Sequence, residues 1–249
     1  MNNIYEEIFK IYTWDVDSAD RLTISSAFNY CQEAAGIHAN QLGVGIDYMK
    51  ARGMAWILSR MSLELVDRPS WGNKIRLRTW PRGSQKLYAI RDYELLTEEG
   101  LLVGRGRAAW LIIDTASMRP KRPEAMAEAL PLNPELDALP DGAQALGLES
   151  GLVKVFSRTA AYSDMDYNKH VNNARYAKWA EDAMPEGLLS SAAGIRMDIN
   201  YLAEVLLEEK LEIFAGKKQE NANFDIAYSL EGRNSAQKPS FRAEIHIKQ

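Results

Sequence analysis

The sequence is short of the residues that mark most specialised protein classes. Its 249 residues hold one cysteine, Cys31, which excludes an internal disulfide framework and any zinc site built from several cysteines. The longest apolar run, Ala108 to Ile113, covers six residues, against the roughly 20 that cross a bilayer. Neither sign of charge dominates: 30 Lys+Arg face 34 Asp+Glu, a formal charge of −4, so nucleic acid is not an expected partner. The opening Met1-Asn2-Asn3-Ile4-Tyr5-Glu6-Glu7 carries neither the basic nor the apolar part of a signal peptide. These absences point to a soluble protein without a membrane span, in a reducing, cytoplasmic compartment.

Proline is also scarce and unevenly placed. Five of the nine (Pro120, Pro123, Pro131, Pro134 and Pro140) fall between Thr115 and Ser150. That stretch reads as a connector with one short helix near Pro123–Leu130, too long for a turn within one unit. It divides the chain into units 1–114 and 151–249, joined by a linker over 115–150. The two flanks repeat one plan. In each, a strand-like segment ends in a polar loop (Asp17–Leu22, Asp166–Val171) and a long helical pattern follows. The spacing from Met61 to Lys74 equals that from Met197 to Lys210, which suggests a duplication.

In the first helix Ile24, Ala27, Phe28, Cys31, Ala34, Ala35, His38 and Leu42 share a face, with Ser26, Asn29, Glu33 and Asn40 opposite. In the second, Tyr176, Ala177, Trp179, Ala180, Ala183 and Met184 oppose Arg175, Lys178, Glu181 and Asp182, and Pro185 ends the helix. Alternating segments follow each: Met54–Val66, Lys74–Trp80, Tyr88–Thr97 and Leu101–Ile113, then Ile195–Leu207, Lys210–Gly216, Asn223–Leu230 and Phe241–Lys248. This is an α+β chain: two tandem units, each a helix wrapped by an antiparallel sheet.

The densest chemistry lies at Asp164-Met165-Asp166-Tyr167-Asn168-Lys169-His170-Val171-Asn172-Asn173. One reading is a polar loop with Asn172 or Asn173 as helix N-cap. The other is catalytic, since a helix entrance offers N–H groups and a positive dipole end to developing negative charge. A metal held by Asp164, Asp166 and His170 is disfavoured, because no fourth ligand has recognisable spacing. Glu204 stands within Tyr201-Leu202-Ala203-Glu204-Val205-Leu206-Leu207. As a lone carboxylate in an apolar strand it would lose solvation and become a better base; at a strand end it would simply face solvent.

Other features have plainer readings. His38 and Cys31 belong to a core stripe, and His246 to the solvated outer face of the last strand. Gly104-Arg105-Gly106-Arg107 lies in a strand pattern and lacks the Gly-Lys-Ser/Thr ending of a phosphate loop. Lys74, Arg76, Arg78, Arg82 and Lys86 form an acid-free basic run. It is either a strand face paired with Glu64, Asp92 and Glu94 or a docking patch for an acidic partner.

The run Asp166-Tyr167-Asn168-Lys169-His170-Val171-Asn172-Asn173-Ala174-Arg175-Tyr176-Ala177-Lys178-Trp179 resembles the Asp-x-Asn-x-His-Val-Asn-Asn-x-x-Tyr-x-x-Trp signature of plant and bacterial acyl-ACP thioesterases. Gln32-Glu33-Ala34-Ala35, Trp56–Met61 and Val66-Asp67-Arg68-Pro69-Ser70-Trp71-Gly72 resemble that family too, so the likeness runs from Phe9 to Leu230. The resemblance implies a double hotdog that hydrolyses fatty acyl-ACP with no cofactor and no metal. It implies a catalytic group of Asp166, Asn168, His170 and Glu204, and acyl carrier protein as the partner bearing the substrate.

Many members of that family have cysteine after the glutamate; this chain has Val205, so water is the expected nucleophile. The repeat sets Arg21 opposite His170 and Arg68 opposite Glu204, so one active site per chain is expected. The resemblance further implies an acyl pocket in the first unit, near Phe28, Met49, Met54 and Trp56, with Lys74, Arg76, Arg78 and Arg82 as carrier contacts. An acyl-CoA thioesterase, a non-catalytic acyl-binding protein and a hydratase of the same fold stay open as alternatives. Monomer and homodimer are both compatible with the sequence.

Overall fold

The computed structural model describes residues 4–123, 130–218 and 224–249. Thr23 is extended and its hydroxyl accepts the Ser26 N–H, opening helix α1 (Ile24–Gln41). Asn172 does the same work for α3 (Asn173–Asp182), its side chain accepting the Ala174 N–H. The apolar stripes read from the sequence are buried, except Met184, which lies beyond α3 and is partly buried. Ser26 is an exception, buried with Ser25 where α3 crosses the start of α1 and Glu181 accepts the Ser25 N–H at 3.2 Å. Two short helices, α2 (Ile46–Ala51) and α4 (Leu188–Ser191), lead from the long ones into the sheet.

The first unit supplies strands β1 (Tyr5–Lys10), β2 (Met54–Leu65), β3 (Lys74–Gln85), β4 (Tyr88–Leu96) and β5 (Leu102–Asp114), plus the short β6 (Pro120–Lys121). The second supplies β7 (Val153–Thr159), β8 (Gly194–Tyr201), β9 (Lys210–Lys218), β10 (Ile226–Arg233) and β11 (Pro239–Lys248). All pair antiparallel in one sheet of order β1-β3-β4-β5-β2-β8-β11-β10-β9-β7, with β6 on β5. The order reads the same from either edge once β1, β3, β4, β5 and β2 are exchanged for their repeats, so the duplication is a pseudo-twofold. Its axis passes between β2 and β8, where Met61 faces Ile199 and Leu63 faces Met197.

One continuous apolar core fills the concave side, shared by Phe28, Cys31, Tyr93 and Leu63 of the first unit and Trp179, Ile199, Ile213 and Phe241 of the second. A second cluster of Leu42, Val44, Met49, Met54 and Ile112, with Trp56 against it, sits beyond the end of α1. Gly106 lies where β5 presses on β2: a Cβ there would meet the Ser62 carbonyl at 2.9 Å. The Gly-Arg-Gly-Arg run is therefore sheet packing, as the sequence suggested.

The segment after β5 crosses the convex face. Ala138 N–H donates to Asp92, Ala143 N–H to the Ser62 hydroxyl and Leu146 N–H to Asn200. The expected short helix of the connector falls on residues 124–129, outside the described residues. His246 on this outer face is not solvated as expected. It is half-buried, 3.4 Å from Glu244 and 3.8 Å from Asp198, with Phe224 against its ring. Among the described residues no helix is long and apolar enough to cross a membrane.

Candidate active site

An isolated bridge between Met165 and Val171 closes the loop that enters α3. Within it the Asp166 carboxylate accepts the N–H groups of Asn168 at 2.8 Å and His170 at 3.3 Å. The Asn168 side-chain amide also donates to Asp166, at 3.4 Å. Lys169 takes a left-handed φ of 66° to complete the turn. The loop thereby presents the half-buried His170 ring outward, where its Nε2 lies 3.1 Å from Oε2 of Glu204. The four residues expected to act together are close to one another.

Glu204 differs from the sequence expectation. The predicted strand Ile195–Leu207 ends at Tyr201, and Glu204 stands in the loop beyond with its side chain 59% exposed. Leu202, Leu206 and Leu207 beside it are also exposed. The loop is fixed by a hydrogen bond from Val171 N–H to the Val205 carbonyl, 3.0 Å. Of the N–H groups that the helix entrance was expected to offer, that of Val171 is thereby already used, and that of Asn172 is used by the Asp164 carbonyl at 2.9 Å. The Asn168 amide has a second N–H beyond the one on Asp166 and is a candidate donor on the loop.

The remaining polar residues of the motif are structural. Asp164 is buried, accepts the Ala161 N–H at 2.9 Å and pairs with Arg158 at 3.3 Å. It is therefore turned to its own helix entrance rather than to Asp166 and His170, and among the described residues no cluster of three metal-ligating side chains forms. Burial pushes the Cys31 thiol well above its ordinary range.

The first unit holds the same loop without the chemistry. Asp17 accepts the N–H groups of Ala19 at 2.9 Å and Arg21 at 3.2 Å, and Asp20 turns at φ 57°. Leu22 N–H bonds to the Pro69 carbonyl at 3.0 Å, as Val171 does to Val205. Arg68, in the place of Glu204, is buried and pairs with Asp17 at 2.6 Å. It also donates to the carbonyls of Leu22 and Leu189, and Arg21 donates to the Ala192 carbonyl at 2.7 Å. Sequence reasoning set Arg68 opposite Glu204 but missed this clamp between the units. A cleft of about 700 Å³ lies between the two helix entrances, lined by Trp14, Asp17, Arg68, Met165 and Lys178. Asp166, Asn168, His170 and Glu204 lie outside its lining.

The binding residues expected from the sequence divide. Met49, Met54 and Trp56 cluster together, whereas Phe28 belongs to the main core. The β3 cations are matched by acids: Lys74 with Glu98, Arg76 with Glu6, Arg78 with Glu94 and Glu6, Arg82 with Asp137 and Asp92. Glu64, an expected partner, binds Arg105 instead.

Two helix-wrapped half-sheets joined edge to edge in one chain, with a single acid–imidazole group at one of two equivalent loops, define a double hotdog protein. The chain belongs to the acyl-ACP thioesterase family. Residues 2–128 match the acyl-ACP thioesterase N-terminal domain and 154–247 the C-terminal domain. Oleoyl-acyl carrier protein thioesterase 1, chloroplastic, of Arabidopsis thaliana is 22% identical over 94% of this chain and 70% of its own length. A palmitoyl-acyl carrier protein thioesterase of Gossypium hirsutum is 25% identical over 81% of this chain and 52% of its own length. The chain thus spans only part of these plant relatives. The fold matches a crystal structure of an acyl-ACP thioesterase from Bacteroides thetaiotaomicron with a TM-score of 0.88 at 24% identity, covering 99% and 98% of the two chains. It matches the 12:0-ACP thioesterase of Umbellularia californica at 0.81 and 18% identity, covering 98% and 94%.

Proposed function

We propose that this chain hydrolyses the thioester of fatty acyl-ACP, releasing the free fatty acid, with Glu204 and His170 activating water. The observation that carries the reading is the 3.1 Å contact between His170 Nε2 and Glu204 Oε2 at one helix entrance, against two arginines at the equivalent one. Glu204 takes a proton from water as oxygen attacks the carbonyl carbon. His170 Nε2–H donates to the carboxylate and orients it. Asn168 donates to the oxyanion of the tetrahedral intermediate. Collapse of that intermediate breaks the C–S bond. The thiol leaving group is already fairly acidic, near the ~8.5 of a cysteine-like thiol, so it needs little help from a strong general acid.

Pseudo-symmetry supports seating the acyl chain in the first unit. Arg68 reaches across to Leu189 and Arg21 to Ala192, the residues that lead into β8. By the same relation Glu204 and His170 face the residues that lead into β2, where Met49, Met54 and Trp56 cluster. The carrier protein is the partner in this reading, and the single buried thiol suits a reducing compartment such as the cytoplasm.

Thiol release from acyl-ACP, measured beside acyl-CoA, tests the assignment. Glu204→Gln is expected to lose about 10²–10⁴-fold in kcat while still binding acyl-ACP. Near-wild-type turnover in that variant would remove Glu204 from the role of base.

A further inference from the structure

The two long helices reach each other's entrances through equivalent residues. Gln32 of α1 and Glu181 of α3 stand equally far beyond the N-caps Thr23 and Asn172. Both residues are half-buried. Glu181 Oε1 accepts the Ser25 N–H at 3.2 Å, and the Ile24 N–H also acts on this carboxylate. Gln32 Oε1 accepts instead the side-chain amide of Asn173, at 3.3 Å. Ile24 and Asn173 are the equivalent first residues of their helices. At the entrance that lacks the acid–imidazole pair, a carboxylate oxygen of the chain thus sits on the first-turn N–H groups. At the other, the residue in its place is a neutral amide held by Asn173.

That difference leaves donors open beside His170. The Asn172 side chain takes the Ala174 N–H at 2.9 Å. Among the described residues the Asn173 N–H has no protein partner, and neither amide hydrogen of Gln32 has one. Asn173 directly follows His170-Val171-Asn172. Its carbonyl accepts the Tyr201 hydroxyl at 3.2 Å, at the end of the strand from which the chain runs on to Glu204. A helix entrance favours a negative oxygen on its free N–H groups. Glu181 supplies such an oxygen at α1 from within the chain. By the pseudo-twofold, the matching place at α3 is left to an oxygen that gains charge during a reaction.

We propose that Gln32, a residue of the first unit, completes the oxyanion hole of the second unit's site: anchored by Asn173, it donates an amide N–H to the thioester carbonyl oxygen beside the Asn173 N–H. These donors add to that of Asn168, and the inference rests on the thioesterase reading given above. Gln32 moves no proton. As the oxygen of water adds to the carbonyl carbon and its proton passes to Glu204, negative charge builds on the carbonyl oxygen and is held there by the N–H groups. When the C–S bond breaks, that charge leaves on sulfur. A glutamate in place of Gln32 would do at α3 what Glu181 does at α1 and cover the N–H groups with its own carboxylate.

The test is kcat and KM for acyl-ACP with wild type, Gln32→Glu and Gln32→Met. Glutamate keeps an acceptor for the Asn173 side chain, so a merely structural Gln32 would be replaced by it without loss. In the proposed role it loses its donor and brings a negative charge to the oxyanion. Gln32→Glu is therefore expected to lose about 10²-fold or more in kcat, with KM little changed because the donor acts in the transition state. Gln32→Met, of similar length and without a donor, is expected to lose about tenfold or more in kcat. A folded Gln32→Glu that loses less, or that loses only through KM, would overturn the assignment of Gln32. If that variant does not fold, Gln32→Met decides by the same split. Wild type inactive on every acyl-ACP would instead overturn the thioesterase reading itself.

Discussion

Asp166 and Asp17 accept the equivalent two backbone N–H groups in two loops of one geometry, and only one of these loops carries the histidine that meets Glu204. The shared work of this aspartate is therefore to shape the turn, and its effect on chemistry passes through the placement of Asn168 and His170. Asparagine can still offer an oxygen to both N–H groups, whereas alanine removes the acceptor and leaves the turn unsupported. Asp166→Asn is expected to keep kcat within about tenfold of wild type and Asp166→Ala to lose roughly 10²-fold or more. Comparable large losses in both would show that the carboxylate charge itself acts in the reaction.

The same logic applies to the elements that the loops join. Arg68 ties the Asp17 loop to Leu22 and to Leu189 in α4, so one guanidinium links the two units. Its side chain is 2% exposed against 18% for Asp17, and removing one partner of so buried a pair costs about 3–5 kcal/mol. Arg68→Met should lower Tm markedly with kcat little altered, because Glu204 hangs from the other loop. An unchanged Tm would show the clamp to be idle. Helices, strands and duplication were legible in the sequence because periodicity and spacing report burial directly. The end of β8 was not. Leu202–Leu207 is apolar and reads as strand, but β11 pairs with β8 only as far as Phe241 opposite Tyr201. Beyond it lies Pro239, which has no N–H to extend the ladder. The leucines are exposed, and Glu204 with them. That Asp166, Asn168 and His170 come together at one helix entrance was legible in the loop motif. The electrostatic setting of Glu204 depends on where a distant strand ends, which no local pattern records.

At the scale of the molecule, charge holds the connector on the convex face beside a small apolar cluster of Ile90, Ala109 and Ala143. Arg107 binds Asp92 at 2.7 Å and Asp137 at 2.5 Å, and Arg82 adds a second contact to Asp137 at 2.8 Å. Arg196 binds Asp198 at 2.9 Å and reaches the connector at Asp141, 2.8 Å. Ser62 donates to Asp198 and accepts the connector's Ala143 N–H. Burial opposes ionisation of Asp137 and Asp141. The hydrogen bonds and charge of Arg107 on one, and of Arg196 on the other, outweigh it and hold both carboxyls below their ordinary value. A carboxyl with a lowered folded-state pKa stabilises the fold above its unfolded pKa, and that stabilisation is lost as pH falls through the folded value. Connector seating is therefore expected to persist at neutral pH and to weaken below about pH 4. Asp137→Asn combined with Asp141→Asn should lower Tm at pH 7. The Tm gap to wild type should then narrow steadily as both proteins are taken toward about pH 2, where the wild-type carboxyls are themselves protonated. A gap that stays constant with pH would mean that these two carboxylates do not hold the connector by their charge.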